Sequence, residues 1–477
     1  MPAPLLGTSI VVFSALATPL AAQSLVTSPV SSVPVWTRIG DVTGDGRDDE
    51  MFVVNGVLEV VDSSTGSPLP FLARPASDPS GYSGLTYTGI GDYDGDGKDD
   101  LVYWDHGSMA NPNNTAIVVS GADGSTMRTL QGQLVFQSTN YFPVRGGDFD
   151  GDGRSDLFLV WNGVAQVLSA RTGAPLAQWA PSGTETLFSL QTIGDEDGDG
   201  CDDAQLHYVN GSVGMKLIRA PGVIVPIGYV GAFGDVTGDG RVDVIVNGWI
   251  TAGGTLTQLW QPPGAFLYGG LGVGDLDGDG CGDFVVGQWM SPHLLLAAYS
   301  GATFTVMPGG APLIYSAPIG DTDGDGRSEC VAGNARIRWV DPPLPVASRM
   351  VRRGVPGTTN DGRKPTIVTR GSCALGRTAF FDLRGGLPNG LTLLVYGNSL
   401  SVDLAPIGAP GNTCYTDLAG AFAFVANGNG VAQYQATMPV SPVLLGATLS
   451  LQAVVVDPLA NALGLVTSSA IDVQTNN

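Results

Sequence analysis

Histidine and cysteine are scarce in this 477-residue chain, at three and five copies. Little is therefore present of the commonest general acid–base group and metal ligand. No paired-cysteine pattern occurs either, which argues against a zinc centre. Lysine and arginine total 22 against 44 aspartates and glutamates, a formal charge of −22. Nucleic-acid binding needs a basic footprint that such a chain does not carry. Past the N-terminus no stretch is apolar enough to span a membrane, because the run from Leu444 to Val466 is broken by Gln452, Asp457, Pro458 and Asn461. The G-x-S-x-G, H-E-x-x-H and P-loop motifs are also absent.

Aspartate, by contrast, recurs in a fixed frame. A nine-residue loop, D-x-[DT]-x-D-G-x-x-[DE], opens at Asp41, Asp92, Asp148, Asp195, Asp235, Asp275 and Asp321, with spacings of 51, 56, 47, 40, 40 and 46 residues. A motif returning once per supersecondary unit is the signature of a propeller or solenoid. Carboxylates on alternate residues, followed by glycine, suit a hard cation such as Ca²⁺, which takes six to eight oxygens in flexible geometry. The expected ligands of loop 2 are Asp92, Asp94, Asp96, the carbonyl of Lys98, and Asp100. Loop 3 offers Asp148, Asp150, Asp152, Arg154 and Asp156, and loop 4 offers Asp195, Asp197, Asp199, Cys201 and Asp203. Loop 6 offers Asp275, Asp277, Asp279, Cys281 and Asp283; loop 7 ends in glutamate, with Asp321, Asp323, Asp325, Arg327 and Glu329. The seventh residue contributes only its carbonyl, so its side chain is free to vary. Loops 1 and 5 carry a hydroxyl at the third position: Asp41, Thr43, Asp45, Arg47, Asp49 and Asp235, Thr237, Asp239, Arg241, Asp243. With less ligand charge they are expected to be the weakest of up to seven calcium sites.

One such turn is an ordinary acidic surface feature; seven with the same ligand frame are not. An EF-hand begins similarly but needs a bidentate glutamate at position twelve and flanking helices. Here position twelve holds Phe52, Tyr103, Leu159, Leu206, Val246, Val286 and Ala332, inside β-like runs. The proposed ligands account for 26 of the 44 acidic residues, and seven bound Ca²⁺ would leave a net charge of about −8. Metal is therefore expected to be part of folding stability.

Each unit reads as strand, acidic loop, strand, and a third strand ending in a small-residue turn, as at Val61–Gly66, Val119–Gly124 and Leu168–Gly173. Four short strands per unit make a propeller blade, and seven units fit the usual four to eight. The seventh unit lacks a strand after Trp339-Val340-Asp341. Either Leu344 to Met350 completes it or the segment from Gln23 to Val33 does. The N-terminal segment is favoured, since joining the two ends locks the circle.

These repeats resemble the FG-GAP/VCBS repeats of integrin α-subunit propellers and of many secreted bacterial proteins. The resemblance covers roughly Val33 to Pro345 and implies Ca²⁺ in the hairpin between the first two strands of each blade. It implies little about function, since such propellers serve adhesion, carbohydrate binding and occasionally polysaccharide cleavage. Apolar Leu5 to Leu20, then Leu20-Ala21-Ala22 before Gln23, reads as an export signal over residues 1–22. Millimolar extracellular calcium suits such sites.

The expected organisation is all-β: a seven-bladed propeller over 23–345, a proline- and arginine-containing linker over 346–365, and a small β-sandwich over 366–477. Strands are expected at Ala379–Leu383, Leu391–Tyr396, Ala421–Val425, Ala432–Met438 and Leu449–Val456. This last module is similar to ones seen on secreted bacterial proteins with such repeats. Cys373 and Cys414 make a reasonable disulfide, worth about 4 kcal/mol if unstrained, and Cys281 with Cys330 is a further pairing that leaves Cys201 free. His106 and His207 fall on repeated strand positions, and His293 sits in a turn-like Ser-Pro-His segment, so no catalytic residue is expected. Trp36, Trp161, Trp179, Trp260 and Trp339 are expected in inter-blade cores before sugar stacking. The sequence predicts a secreted or cell-surface, non-catalytic recognition or adhesion module for an extracellular protein or glycan. A lectin, or a polysaccharide lyase or hydrolase, is the alternative.

Overall fold

Along the strand Asp156–Trp161 five consecutive residues are buried, which an alternating one-sided pattern would not give. The reason lies in its two neighbours. Leu157 and Leu159 share a core with Ile90, Val102 and Val118 of the preceding sheet. Phe158 and Val160 share one with Leu187 and Leu206 of the following sheet. Successive side chains point to opposite faces, so a strand sandwiched between two sheets must be apolar throughout. Truncating Leu159, fully buried, removes contacts worth about 2–5 kcal/mol.

In a computed structural model of the chain, the described residues are 24–29, 33–34, 38–54, 57–75, 87–105, 115–131, 144–161, 163–210, 213–225, 231–261, 271–290, 293–307, 316–323, 327–332, 335–340 and 349–475. The expected export signal, Trp36, His106 and Asp325 lie outside them. The fold is all-β, with three short 3-10 turns as the only helical elements among the described residues. Among the described residues, seven small antiparallel sheets each carry one acidic loop between two neighbouring strands. The sheet of loop 2, for example, runs Tyr87–Gly91, Asp100–Asp105, Thr115–Val119 and Thr126–Gln131 in sequential order. Every position-twelve residue named above lies on a strand, as expected. His207 also lies on one, and His293 opens a strand rather than a turn.

The sheet of loop 7 contains Ser316–Gly320, Glu329–Ala332 and Ala335–Val340, and its fourth strand is the N-terminal Ser24–Pro29. Ser24 pairs with Val340 and Pro29 with Ala335. A second closure runs through the loops. The amide of the eighth loop residue donates to the carbonyl of the first aspartate of the preceding loop, all the way round. Asp99 reaches Asp41 at 2.9 Å, Ser155 reaches Asp92 at 2.9 Å, and Asp202 reaches Asp148 at 2.8 Å. Val242, Gly282 and Ser328 repeat the bond to Asp195, Asp235 and Asp275, and Asp48 completes the circle on Asp321 at 2.9 Å. Inner strands pass so closely that a Cβ on Gly146 would lie 1.6 Å from the carbonyl oxygen of Ile90. Only glycine fits there.

The C-terminal region forms a five-stranded, a three-stranded and a two-stranded sheet, the last pairing Ser399–Asp403 with Thr413–Thr416; the two larger ones face each other. They share one core, in which Ile367, Phe381 and Leu383 of the smaller sheet meet Leu394, Leu451, Val455 and Val473 of the larger. The expected strands of this region are present, but the linker is not as predicted. Arg349–Arg353 is an edge strand of the larger sheet, pairing Arg349 with Gln474 and Arg353 with Ala470. Its arginines are not solvated linker charge: Arg352 bonds to the ring and Arg353 within its own unit. Neither suggested disulfide forms. Cys414 is a free thiol donating to the carbonyl of Thr416, and Cys281 is free and buried. Cys201 is free too, packed in the core between the sheets of loops 3 and 4.

Candidate metal centres

Each loop is folded by its own carboxylates. In loop 2, Asp92 Oδ1 accepts the amide of Asp96 at 3.0 Å and Oδ2 that of Gly97 at 3.0 Å. Asp94 accepts the amide of Asp96, and Asp96 that of Lys98, each at 2.9 Å. Gly97 has φ +97°, a left-handed conformation that turns the chain back under Asp92. Corresponding bonds recur in loops 3, 4 and 6.

The folding gathers oxygens. Three carboxylates with ligand atoms within 4.8 Å of one another occur at Asp92, Asp94 and Asp96; at Asp195, Asp197 and Asp199; and at Asp275, Asp277 and Asp279. In loop 3 the group is Asp148, Asp150 and Asp156, and in loop 7 Asp321, Asp323 and Glu329. Loops 1 and 5 form no such triple among the described residues. There Thr43 and Thr237 donate their hydroxyls to Asp41 and Asp235 at 3.4 Å. Asp45 accepts the amide of Arg47, and Asp239 that of Arg241, each at 2.9 Å.

The closing residue has a second task. Asp100 Oδ2 accepts the amide of Tyr93 at 2.7 Å and Oδ1 that of Gly121 at 2.9 Å, tying the loop to the turn after the third strand. Asp203 and Asp283 do the same, to Glu196 and Ala220 and to Leu276 and Gly301. In loops 2, 4 and 6 the closing aspartate is thus a double staple outside the triple, whereas Asp156 and Glu329 belong to theirs. Asp152 stands apart from the group of its loop, buried against Arg171 at 3.2 Å; Asp325 is outside the described residues.

Burial raises the closing acids and several first aspartates, and neighbouring carboxylates add to it. Asp283 is pushed up to about 9, with Asp277 and Asp275 adding to burial. Burial carries Asp100, Asp203, Asp275 and Glu329 to about 8. Asp49 and Asp243 reach about 7, and Asp195 and Asp235 about 6. Such groups resist ionisation together, and a bound cation relieves that resistance. His207, by contrast, is held down to about 4 by burial alone.

Sequence reasoning missed Asp48, Asp99 and Asp202 at position eight. Their carboxylates accept the amides of Asp321, Asp41 and Asp148, each at 2.9 Å, doubling the ring bond. The acidic doublets Asp48-Asp49, Asp99-Asp100 and Asp202-Asp203 were the available signal. Glu196 was missed as well; fully buried, it holds Arg219 through two bonds of 2.7 and 3.1 Å.

Residues 92–159, from the first aspartate of loop 2 to Leu159, match the model of an FG-GAP-like repeat. No curated protein matches the chain. Among solved structures it is similar to BBS1N in the crystal structure of its complex with ARL6DN soaked with mercury, at 11% identity over 68% of this chain and 99% of that chain, with a TM-score of 0.42. The lead-soaked complex gives 12%, 68%, 97% and 0.42. A chain of the Mitotic Checkpoint Complex gives 12%, 71%, 96% and 0.40. Likenesses this distant carry no argument about function.

Proposed function

We propose that the chain is a calcium-binding, seven-bladed β-propeller followed by a β-sandwich, acting outside the cell or at its surface as a non-catalytic recognition or adhesion module. The observation that carries the reading is the circle of seven acidic loops, each bonded to the one before. Five of them gather three carboxylates, and the donors are all oxygen, the chemistry of a hard cation. Held there, Ca²⁺ would supply positive charge that lets buried carboxylates ionise together. Recognition would then fall to connections displayed by the rigid sheets. Trp179 packs on Phe149 and Trp260 on Phe284 and Tyr299, so these two serve cores before any sugar.

Calorimetric titration of the purified full chain should show several Ca²⁺ sites, with Mg²⁺ a poor substitute. Calcium-equilibrated protein without bound metal would end the reading. The recognition role is tested by binding of the calcium-loaded chain to arrayed extracellular proteins and glycans; release of products from polysaccharides would replace it with an enzymatic one.

A further inference from the structure

The C-terminal unit rests on the loop side of the ring, and its contacts differ from loop to loop. Arg352 Nη2 donates to Asp92 Oδ2 at 2.6 Å. Arg384 donates to Asp202 Oδ1 at 2.9 Å and stands 3.8 Å from Asp148 Oδ2. Arg370 stands 3.5 Å from Asp195 Oδ2 while paired with Asp382 of its own unit. These three touch the first aspartates of loops 2, 3 and 4. Loops 1 and 5 receive apolar side chains instead, Val351 against Gly46 and Phe380 against Gly240. Among the described residues no ion pair joins the C-terminal unit to Asp41, Asp45, Asp235 or Asp239. Arginine thus reaches the first aspartate in three loops that carry the full set, and Arg377 stands 3.8 Å from Asp279 of loop 6, whereas the loops where threonine has replaced an aspartate receive no such ion pair among the described residues.

The atoms used are consistent. Each of the three guanidiniums approaches Oδ2, the oxygen that also accepts the amide of the sixth-position glycine: Gly97, Gly153 or Gly200. Oδ1 instead accepts amides from inside the loop. The guanidinium and the glycine amide thus fall on one oxygen of each first aspartate, and the other oxygen faces the loop amides. Backbone bonds lock the geometry, with Gly385 donating to Gly151 at 2.8 Å and Lys364 to Asp152 at 3.3 Å. The same unit contributes Arg352, Thr366, Val368 and Arg384 to the lining of a cavity of about 810 Å³ that Gly89 and Gln205 of the ring also line.

We propose that the C-terminal unit is a metal-linked cap, in which Arg352, Arg370 and Arg384 are positioning residues that orient the first carboxylates of loops 2 to 4. This rests on the calcium reading above. Partners that orient a ligand from behind typically matter 10–100-fold in metal affinity. By reciprocity, metal in those loops strengthens docking as much as docking strengthens metal binding.

The test is Ca²⁺ calorimetry and small-angle X-ray scattering on the full chain, with Arg352→Ala, Arg352→Lys and Arg353→Ala. Arg352→Ala should weaken part of the calcium binding roughly tenfold, with Arg352→Lys between it and the parent. Arg353→Ala, whose guanidinium bonds Tyr415 and Asp472 within its own unit, should leave affinity unchanged. Chelation should enlarge the scattering particle. Unchanged or tighter calcium binding by Arg352→Ala, or identical scattering with and without metal, overturns the cap alone. Absence of calcium binding by the parent chain overturns both the cap and the reading beneath it.

Discussion

The ring and the C-terminal unit are both built from small antiparallel sheets, yet they are held by different forces. In the ring, apolar seams between sheets alternate with belts of buried carboxylate, and the loop hydrogen bonds pass through those belts. The C-terminal unit has a continuous apolar core, where Phe381, Leu394, Val455 and Val473 are each at most 5% exposed. Four of its arginines, Arg352, Arg370, Arg377 and Arg384, face carboxylates of the ring. On the calcium reading proposed above, the ring would depend on ions that reconcile like charges and the C-terminal unit on area removed from water, and solution conditions will separate the two.

Chelation should separate them most. A site at a hundredfold excess of metal over its Kd contributes about 2.7 kcal/mol to the folded state, and five loops gather three carboxylates that could hold one. With EGTA, scanning calorimetry should show the ring melting lower by about ten degrees or more, on the order expected from that stabilisation. A later transition for the C-terminal unit should move far less. A single transition falling as one would show that the units unfold together.

Acidity should act next, with opposite signs in the two metal states. The folded ring raises Asp100, Asp203 and Glu329 to about 8 and Asp283 to about 9, so it binds more protons than the unfolded chain between the ordinary carboxylate range and pH 9. Stability of the metal-free ring must then fall as pH rises through that window. In calcium the trend should reverse toward acid, because protons compete for the ligands. Melting curves at about pH 5.5, 7 and 8.5 with and without EGTA check both signs.

The smallest effect sharpens a contrast inside the ring. Thr43→Asp restores the frame of the other loops and should tighten calcium binding at one site, on the order of tenfold. Titration of the variant against the parent measures it; equal affinities would mean that ligand charge is not what distinguishes loops 1 and 5.

Much of this was legible from local pattern. The loop frame with its following apolar run located the hairpin, since strand burial on both faces leaves a continuous apolar signature, as at Leu157–Val160. Closure by the N-terminal strand followed from the missing strand near Trp339. The arginines of 349–353 were not legible, because a charge bonded across an interface has the same local sequence as one in solvent. Nor was the double staple of Asp100, whose partner Gly121 lies 21 residues away. The cysteine pairings failed because spacing says nothing about which faces the thiols take.

Ser24–Pro29 is synthesised before every other described strand of the ring, and its pairing partner, Ala335–Val340, comes more than 300 residues later. Until then the earliest strand has no mate, and the last sheet, once made, keeps a bare edge. Contacts this distant in sequence form slowly, and bare edges invite pairing with other molecules. Assembly of the circle is therefore finished by its oldest piece, and for the length of that wait the nascent molecule is exposed to its neighbours.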